Sequence, residues 1–345
     1  MDRNFFRNTD AAVILSESNL YYFTKYNNTD AAVLMSPDKR YYVTDARTAE
    51  SAKESLTDFE IVICENGNYV QAVAQLCQEL SVTTICYEDE TILYKQYMNL
   101  KLAGKELVPM SQRISDLRAI KDDTEISYIV KAQEITDRVY STILDIVKPG
   151  ITELELANKI NSLIYAHGCS LAFNSIVAFG KNTAQPHSIP GSTVLNKVDV
   201  VLIDFGAKYK GYCSDMTRCF AVGKVDPNYK KVYEAVLSAQ KEVFVGLRPG
   251  ITGQEADALA RNYLTNVGYG DNFTHSTGHG VGIDIHESPR LSTYSVERLT
   301  SQNVFTVEPG VYFPGKFGIR IEDMVRLENN SLYNLTNSSK SLFVL

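Results

Sequence analysis

The sequence predicts two domains, an α/β unit over residues 1–115 and an α+β unit over residues 116–345 built from two related halves. Three observations carry that expectation. Short apolar, β-branched segments alternate with helical ones through about the first hundred residues. A single long amphipathic pattern then opens the remainder, and a helix-capping signature recurs 100 residues after itself. Length agrees, since 345 residues at roughly 150 per domain make about two domains.

In the first domain, Ala11–Leu15, Tyr21–Phe23, Ala31–Met35 and Tyr41–Thr44 are expected as strands, separated by turn residues such as Ser36-Pro37-Asp38. Helices are expected around Arg47–Leu56, Tyr69–Leu80 and Ile92–Ala103, with strands at Ile61–Cys64 and Thr84–Cys86. No histidine precedes His167 and no glycine-rich phosphate loop is present, so this domain is expected to serve packing and assembly.

The second domain begins with a helix over Asp122–Val147, whose apolar positions run Ile129, Ala132, Ile135, Val139, Ile143 and Val147. It stops at Lys148-Pro149-Gly150. Pro149-Gly150-Ile151-Thr152-x-x-Glu155 then recurs as Pro249-Gly250-Ile251-Thr252-x-x-Glu255. Thr-x-x-Glu is a capping box, threonine accepting from a free N–H while glutamate returns the bond. His187 lies 38 residues after Pro149 and His286 lies 37 after Pro249. This points to a duplicated half-domain with a site where the halves meet.

Composition narrows the chemistry. The 41 acidic and 34 basic side chains leave a net charge of −7, without any basic cluster, which argues against nucleic acid or an anionic membrane as partner. No apolar run reaches the ~18 residues of a membrane span. Met1-Asp2-Arg3-Asn4 leads into no apolar signal core, so a cytoplasmic protein is expected. The six cysteines are scattered without metal-like spacing and read as reduced, buried hydrophobes.

Asn196–Val222 reads as a hairpin. Val200–Ile203 is a buried strand ending in Asp204, Lys208-Tyr209-Lys210-Gly211 supplies the turn, and the chain returns through Tyr212-Cys213-Ser214-Asp215. Two carboxylates brought together repel, and need a shared proton or a cation; a surface hairpin with exposed acids is the plainer alternative. Thr306-Val307-Glu308 places a further glutamate at a strand end, and Gly318–Glu322 alternates so that Arg320 and Glu322 share a face. His275 and His279 sit beside glycines that fit no nucleotide loop. Four carboxylates and an imidazole suit two divalent ions of hard character, Mn²⁺ first, with Co²⁺, Fe²⁺ or Zn²⁺ as alternatives.

Asp204, Asp215, His279, Glu308 and Glu322 in this order resemble the five ligands of the pita-bread metallopeptidases, which include methionine aminopeptidase, aminopeptidase P and prolidase. The likeness covers about residues 115–345 and extends to Gln185-Pro186-His187, His286-Glu287 and Arg320-x-Glu322. It implies a pita-bread catalytic domain with an internal pseudo-two-fold repeat, preceded by a creatinase/prolidase-type N-terminal domain. It also implies two metal ions and a metal-bridging hydroxide as nucleophile. Glu308 would relay a proton to the leaving nitrogen, and His187 and His286 would steady the substrate carbonyl. His275, Arg290 and Arg320 would face substrate. The extra N-terminal domain and His286-Glu287-Ser288-Pro289-Arg290 resemble the compact prolidases. The expected substrates are therefore small peptides with proline second, Xaa-Pro dipeptides first, with Xaa-Pro aminopeptidase activity on longer peptides as the alternative. A non-catalytic peptide-binding relative is a remote one. A homodimer is also implied, in which the N-terminal domain joins the interface and reaches over the partner's active site.

Overall fold

The computed structural model describes residues 5–28, 30–65, 67–329 and 331–345, so the leader reading of Met1–Asn4 lies outside the described residues. The chain divides into two compact units, Met1–Arg118 and Ala119–Leu345. Among the described residues, no helix is long and apolar enough to cross a membrane.

The first unit runs β1 (Ala11–Ile14), α1 (Glu17–Thr24), β2 (Ala31–Met35), β3 (Arg40–Thr44), α2 (Ala49–Ser55), β4 (Glu60–Ile63), α3 (Tyr69–Glu79), β5 (Thr84–Tyr87), α4 (Tyr94–Leu102), β6 (Glu106–Pro109) and α5 (Ser111–Ala119). Its six-stranded mixed sheet has the order β4-β3-β2-β1-β5-β6. Strands β1 and β2 are buried on both faces: Ala11 and Val13 enter one core while Ala12 and Ile14 enter the other. That explains why they read as unbroken apolar runs.

One expectation fails here. Tyr21–Phe23 lies in helix α1. The buried Glu88 carboxylate accepts from the backbone N–H groups of Leu15 and Ser16 and from the Asn19 amide, anchoring the start of a helix that the aromatic residues alone would not favour.

The second unit opens with α6 (Asp123–Ile146) and α7 (Glu153–Ala166). There follow β7 (Ser170–Leu171), β8 (Ile176–Phe179), a 3-10 turn (Gly180–Ala184), β9 (Asp199–Phe205), β10 (Ala207–Tyr209), β11 (Tyr212–Cys213) and β12 (Met216–Val222). A second helix pair, α8 (Pro227–Gly246) and α9 (Gly253–Asn266), precedes a 3-10 turn (Gly270–Asn272) and β13 (Gly278–Gly280), β14 (Glu287–Leu291), β15 (Val304–Val307), β16 (Gly310–Phe313), β17 (Phe317–Arg320), β18 (Asp323–Glu328) and β19 (Ser331–Asn334). Each helix pair backs its own sheets. α6 and α7 pack on β8, β9 and β12, while α8 and α9 pack on β15, β17 and β18.

The halves repeat in atomic detail. Thr152 accepts from the Glu155 N–H at 3.1 Å and the Glu155 carboxylate accepts from the Thr152 N–H at 2.8 Å. Thr252 and Glu255 do the same at 3.1 and 2.7 Å. Gly150 and Gly250 turn the chain at φ 98° and 94°, where a side chain would be strained. Each donates its N–H to a leucine carbonyl on a returning segment, Leu195 at 2.9 Å and Leu299 at 2.7 Å.

Candidate metal centre

The five candidate ligands reach one place from separate elements. β9 and β12 pair antiparallel over their full length, setting Asp204 opposite Thr217, with Asp215 just before β12. His279 is central in β13, Glu308 follows β15, and Glu322 lies between β17 and β18. β13 fits only as glycine around its histidine. A Cβ on Gly278 would lie 2.0 Å from the Thr306 carbonyl oxygen, and one on Gly280 would lie 2.2 Å from that of Ser288.

All five line a cleft of about 580 Å³ together with His187, His275, His286, Arg290 and Arg320. His167 lies apart, at the C-cap of α7. The cleft walls also carry Phe173, Ile176, Ile189, Pro190 and Ile285, which nothing in their local sequence singles out.

The electrostatics show what the cleft can hold. One ligand atom each from Asp215, His279 and Glu322 lies within 4.8 Å of the others. His279 Nε2 stands 3.6 Å from Asp215 Oδ2 and 3.3 Å from Glu308 Oε1. Burial depresses the His279 pKa to about 4, so its ring is neutral at pH 7. Its Nδ1 lies 3.1 Å from the Gly280 carbonyl oxygen. A carbonyl can only accept, so the proton is assigned to Nδ1 and the Nε2 lone pair faces the carboxylates. Burial, then repulsion from Glu322, Asp204 and Glu308, pushes Asp215 well above the usual carboxylate range. Burial, then Glu308 and Asp204, does the same to Glu322. Oδ1 of Asp204 and Oδ1 of Asp215 are buried and accept no hydrogen bond among the described residues. Acceptors facing acceptors, with orphaned carboxylate oxygens, fit divalent cations bound through oxygen and one imidazole.

Arg320 is buried and spends its donors on the protein. It pairs with Asp204 at 2.5 Å, donates from Nε to Thr217 Oγ1 at 2.8 Å, and from Nη1 to the Tyr312 hydroxyl at 2.8 Å and the Pro186 carbonyl at 3.2 Å. Thr217 in turn donates to Glu322 Oε2 at 2.7 Å, and Thr306 to Glu308 Oε1 at 3.1 Å. These hydroxyl groups and Tyr312 were not legible as site residues, because Thr and Tyr at strand positions read first as sheet formers.

The histidines differ in freedom. His275 has Nδ1 2.8 Å from the Ser276 carbonyl oxygen and Nε2 3.1 Å from the Tyr312 hydroxyl, so both ring nitrogens are engaged. His286 meets His279 edge to face with ring centroids 4.3 Å apart, and burial followed by repulsion from His279 lowers its pKa. Glu287 beside it pairs with the buried Lys121 at 2.7 Å. His187 and Arg290 are exposed at the cleft, and Arg290 has no ion-pair partner among the described residues.

Comparison with known proteins agrees with this geometry. Residues 127–329 match the model of metallopeptidase family M24, and residues 7–120 match that of the creatinase/prolidase N-terminal domain. The peptidase YqhT of Bacillus subtilis is 37% identical over 339 residues, covering 97% of this chain and 96% of that protein. A solved Xaa-Pro dipeptidase from Bacillus anthracis has a TM-score of 0.96 at 37% identity, covering 99% of this chain and 98% of its own. An X-Pro aminopeptidase from Thermotoga maritima has a TM-score of 0.91 at 33% identity, covering 98% of each chain. The chain therefore belongs to metallopeptidase family M24 and is a peptide-bond hydrolase that works with divalent metal ions.

Proposed function

We propose that the protein hydrolyses the bond before proline in Xaa-Pro dipeptides, with two divalent ions, Mn²⁺ first, held by Asp204, Asp215, His279, Glu308 and Glu322. The observation that carries the dipeptide reading is Arg290: an exposed guanidinium at the cleft, opposite His279 across the β13–β14 ladder and free of ion pairs among the described residues. A dipeptide ends in a carboxylate next to the scissile bond, and a guanidinium fork suits that group. The resemblance to a solved Xaa-Pro dipeptidase points the same way.

When bound, the metal ions lower the pKa of water and polarise the substrate carbonyl. The chain's own groups do the rest. Glu308 lies at the cleft with Thr306 holding Oε1, which orients the other oxygen to pass a proton to the leaving nitrogen. His286, whose pKa is lowered by partial burial and by neighbouring His279, stands at the cleft to offer an N–H to the developing oxyanion, and exposed His187 approaches from the other half. Arg320 acts through Asp204 and Tyr312, fixing where they stand. His275 acts through Tyr312 in the same way.

Initial rates on an Xaa-Pro dipeptide and an Xaa-Pro-Yaa tripeptide test the assignment. The dipeptide should be the better substrate, and Arg290→Ala should raise its KM roughly tenfold or more, the loss of about 1.5–3 kcal/mol for a charged hydrogen bond. A better tripeptide, with Arg290→Ala acting equally on both, would establish the aminopeptidase reading. The protein should also sediment as a homodimer through its N-terminal unit, and a monomer mass at micromolar concentration would remove that proposal.

A further inference from the structure

A gap in one β-ladder points to a residue outside the cleft that governs the metal ligands. β15 pairs with β18 so that Val307 faces Asp323, and β16 pairs with β17 so that Gly310 faces Arg320. Both pairings have the same register, which sets Pro309 opposite Ile321. The Ile321 N–H does reach the Pro309 carbonyl, at 3.3 Å. The return bond cannot form, because proline has no N–H. The Ile321 carbonyl is thus left without its ladder donor in the buried core, directly before Glu322. A buried carbonyl without a donor is costly.

Gln240, on the inner face of α8 and fully buried, fills that gap. Its Nε2 donates to the Ile321 carbonyl at 3.2 Å and to the Val307 carbonyl at 3.0 Å. Both partners are acceptors, which fixes the amide orientation. The cost is visible on the same side chain: Oε1 is buried and accepts no hydrogen bond among the described residues. An orphaned oxygen is tolerated where the opposite end of the amide is needed. Val307 and Ile321 are the residues immediately before Glu308 and Glu322, so one amide brackets the backbone of both glutamates.

We propose that Gln240 is a positioning residue for metal binding, replacing the hydrogen-bond donor that Pro309 removes and setting the separation of Glu308 and Glu322. This rests on the metal reading of those two glutamates. A residue behind the ligands typically controls metal affinity by about 10–100-fold, and Gln240 should fall in that range.

Isothermal titration of the full-length, metal-stripped protein with Mn²⁺ tests the proposal. Gln240→Met, similar in size but without donors, should weaken binding by about tenfold or more, with near-ultraviolet circular dichroism reporting an intact fold. Adding Pro309→Ala restores a backbone N–H opposite Ile321, and the double variant should recover most of the lost affinity. A role in packing alone would change melting temperature and leave the Mn²⁺ affinity of the folded protein where it was. If folded Gln240→Met binds Mn²⁺ as wild type does, the proposal is overturned while the metal site stands. If wild type binds no Mn²⁺, the metal reading falls and this proposal with it. Should Gln240→Met not fold, the double variant decides: folded with near-wild-type affinity supports the bracket, and folded with weak affinity, or still unfolded, overturns it.

Discussion

His279 shows how a single proton sets what a site can hold. With the proton on Nδ1, toward the Gly280 carbonyl, Nε2 becomes an acceptor among acceptors. Asp215 is repelled by three carboxylates and denied water by burial, so its charged form calls for a cation. Asp215→Asn keeps the volume and removes the charge. It should bind fewer Mn²⁺ per chain by elemental analysis and lose more activity than the ~10–100-fold typical of residues behind the ligands. Full metal content in that variant would remove Asp215 from the ligand set. The carboxylates and histidines were legible in the sequence because such groups are expensive to bury without a reason. Tyr312, Thr217 and Gln240 were not, because their roles arise from which carbonyl or carboxylate the fold places beside them.

At the scale of elements, the repeat was the most legible feature. A capping box is a local chemical device, so Thr152–Glu155 and Thr252–Glu255 announce helix starts wherever they occur. Thr152→Ala or Thr252→Ala should each destabilise the protein by about 1 kcal/mol, measured by urea unfolding. Because the two caps sit in different halves, the double variant should be additive within ~0.5 kcal/mol. Strong coupling between them would show that the halves do not bear their helix ends independently. Helix α1 was misread for the opposite reason. Its start depends on Glu88, distant in sequence, and no local pattern around Tyr21–Phe23 carries that information. Element β6 and helix α5 were equally silent, their mixed polarity showing no clear period over Glu106–Ala119.

For the whole molecule, the raised pKa values of Asp215 and Glu322 make stability and metal loading depend on pH in linked ways. A carboxyl group whose folded pKa lies above its unfolded value favours folding below that unfolded value, near 3.8 for Asp and 4.5 for Glu. The contribution is lost as pH rises through the folded pKa. Metal-stripped protein should therefore lose stability relative to the loaded form as pH rises, since the cations displace those protons and neutralise the charges. The difference in melting temperature between Mn²⁺-loaded and chelator-treated protein should be larger at pH 8 than at pH 5. A constant difference would mean that these carboxyl groups do not titrate with the metal. The acidic excess of the sequence also gains a location here, since four of its carboxylates converge on one cleft. The duplicated architecture has a consequence for how the site can fail. Asp204 and Asp215 belong to the first half of the catalytic unit, whereas His279, Glu308 and Glu322 belong to the second. An ion bound by both sets would cross-link the two halves, so a chelator should loosen the internal seam as well as inhibit. Ion occupancy and half-to-half adhesion would then be linked, and a substitution along the seam should surface as a change in metal affinity.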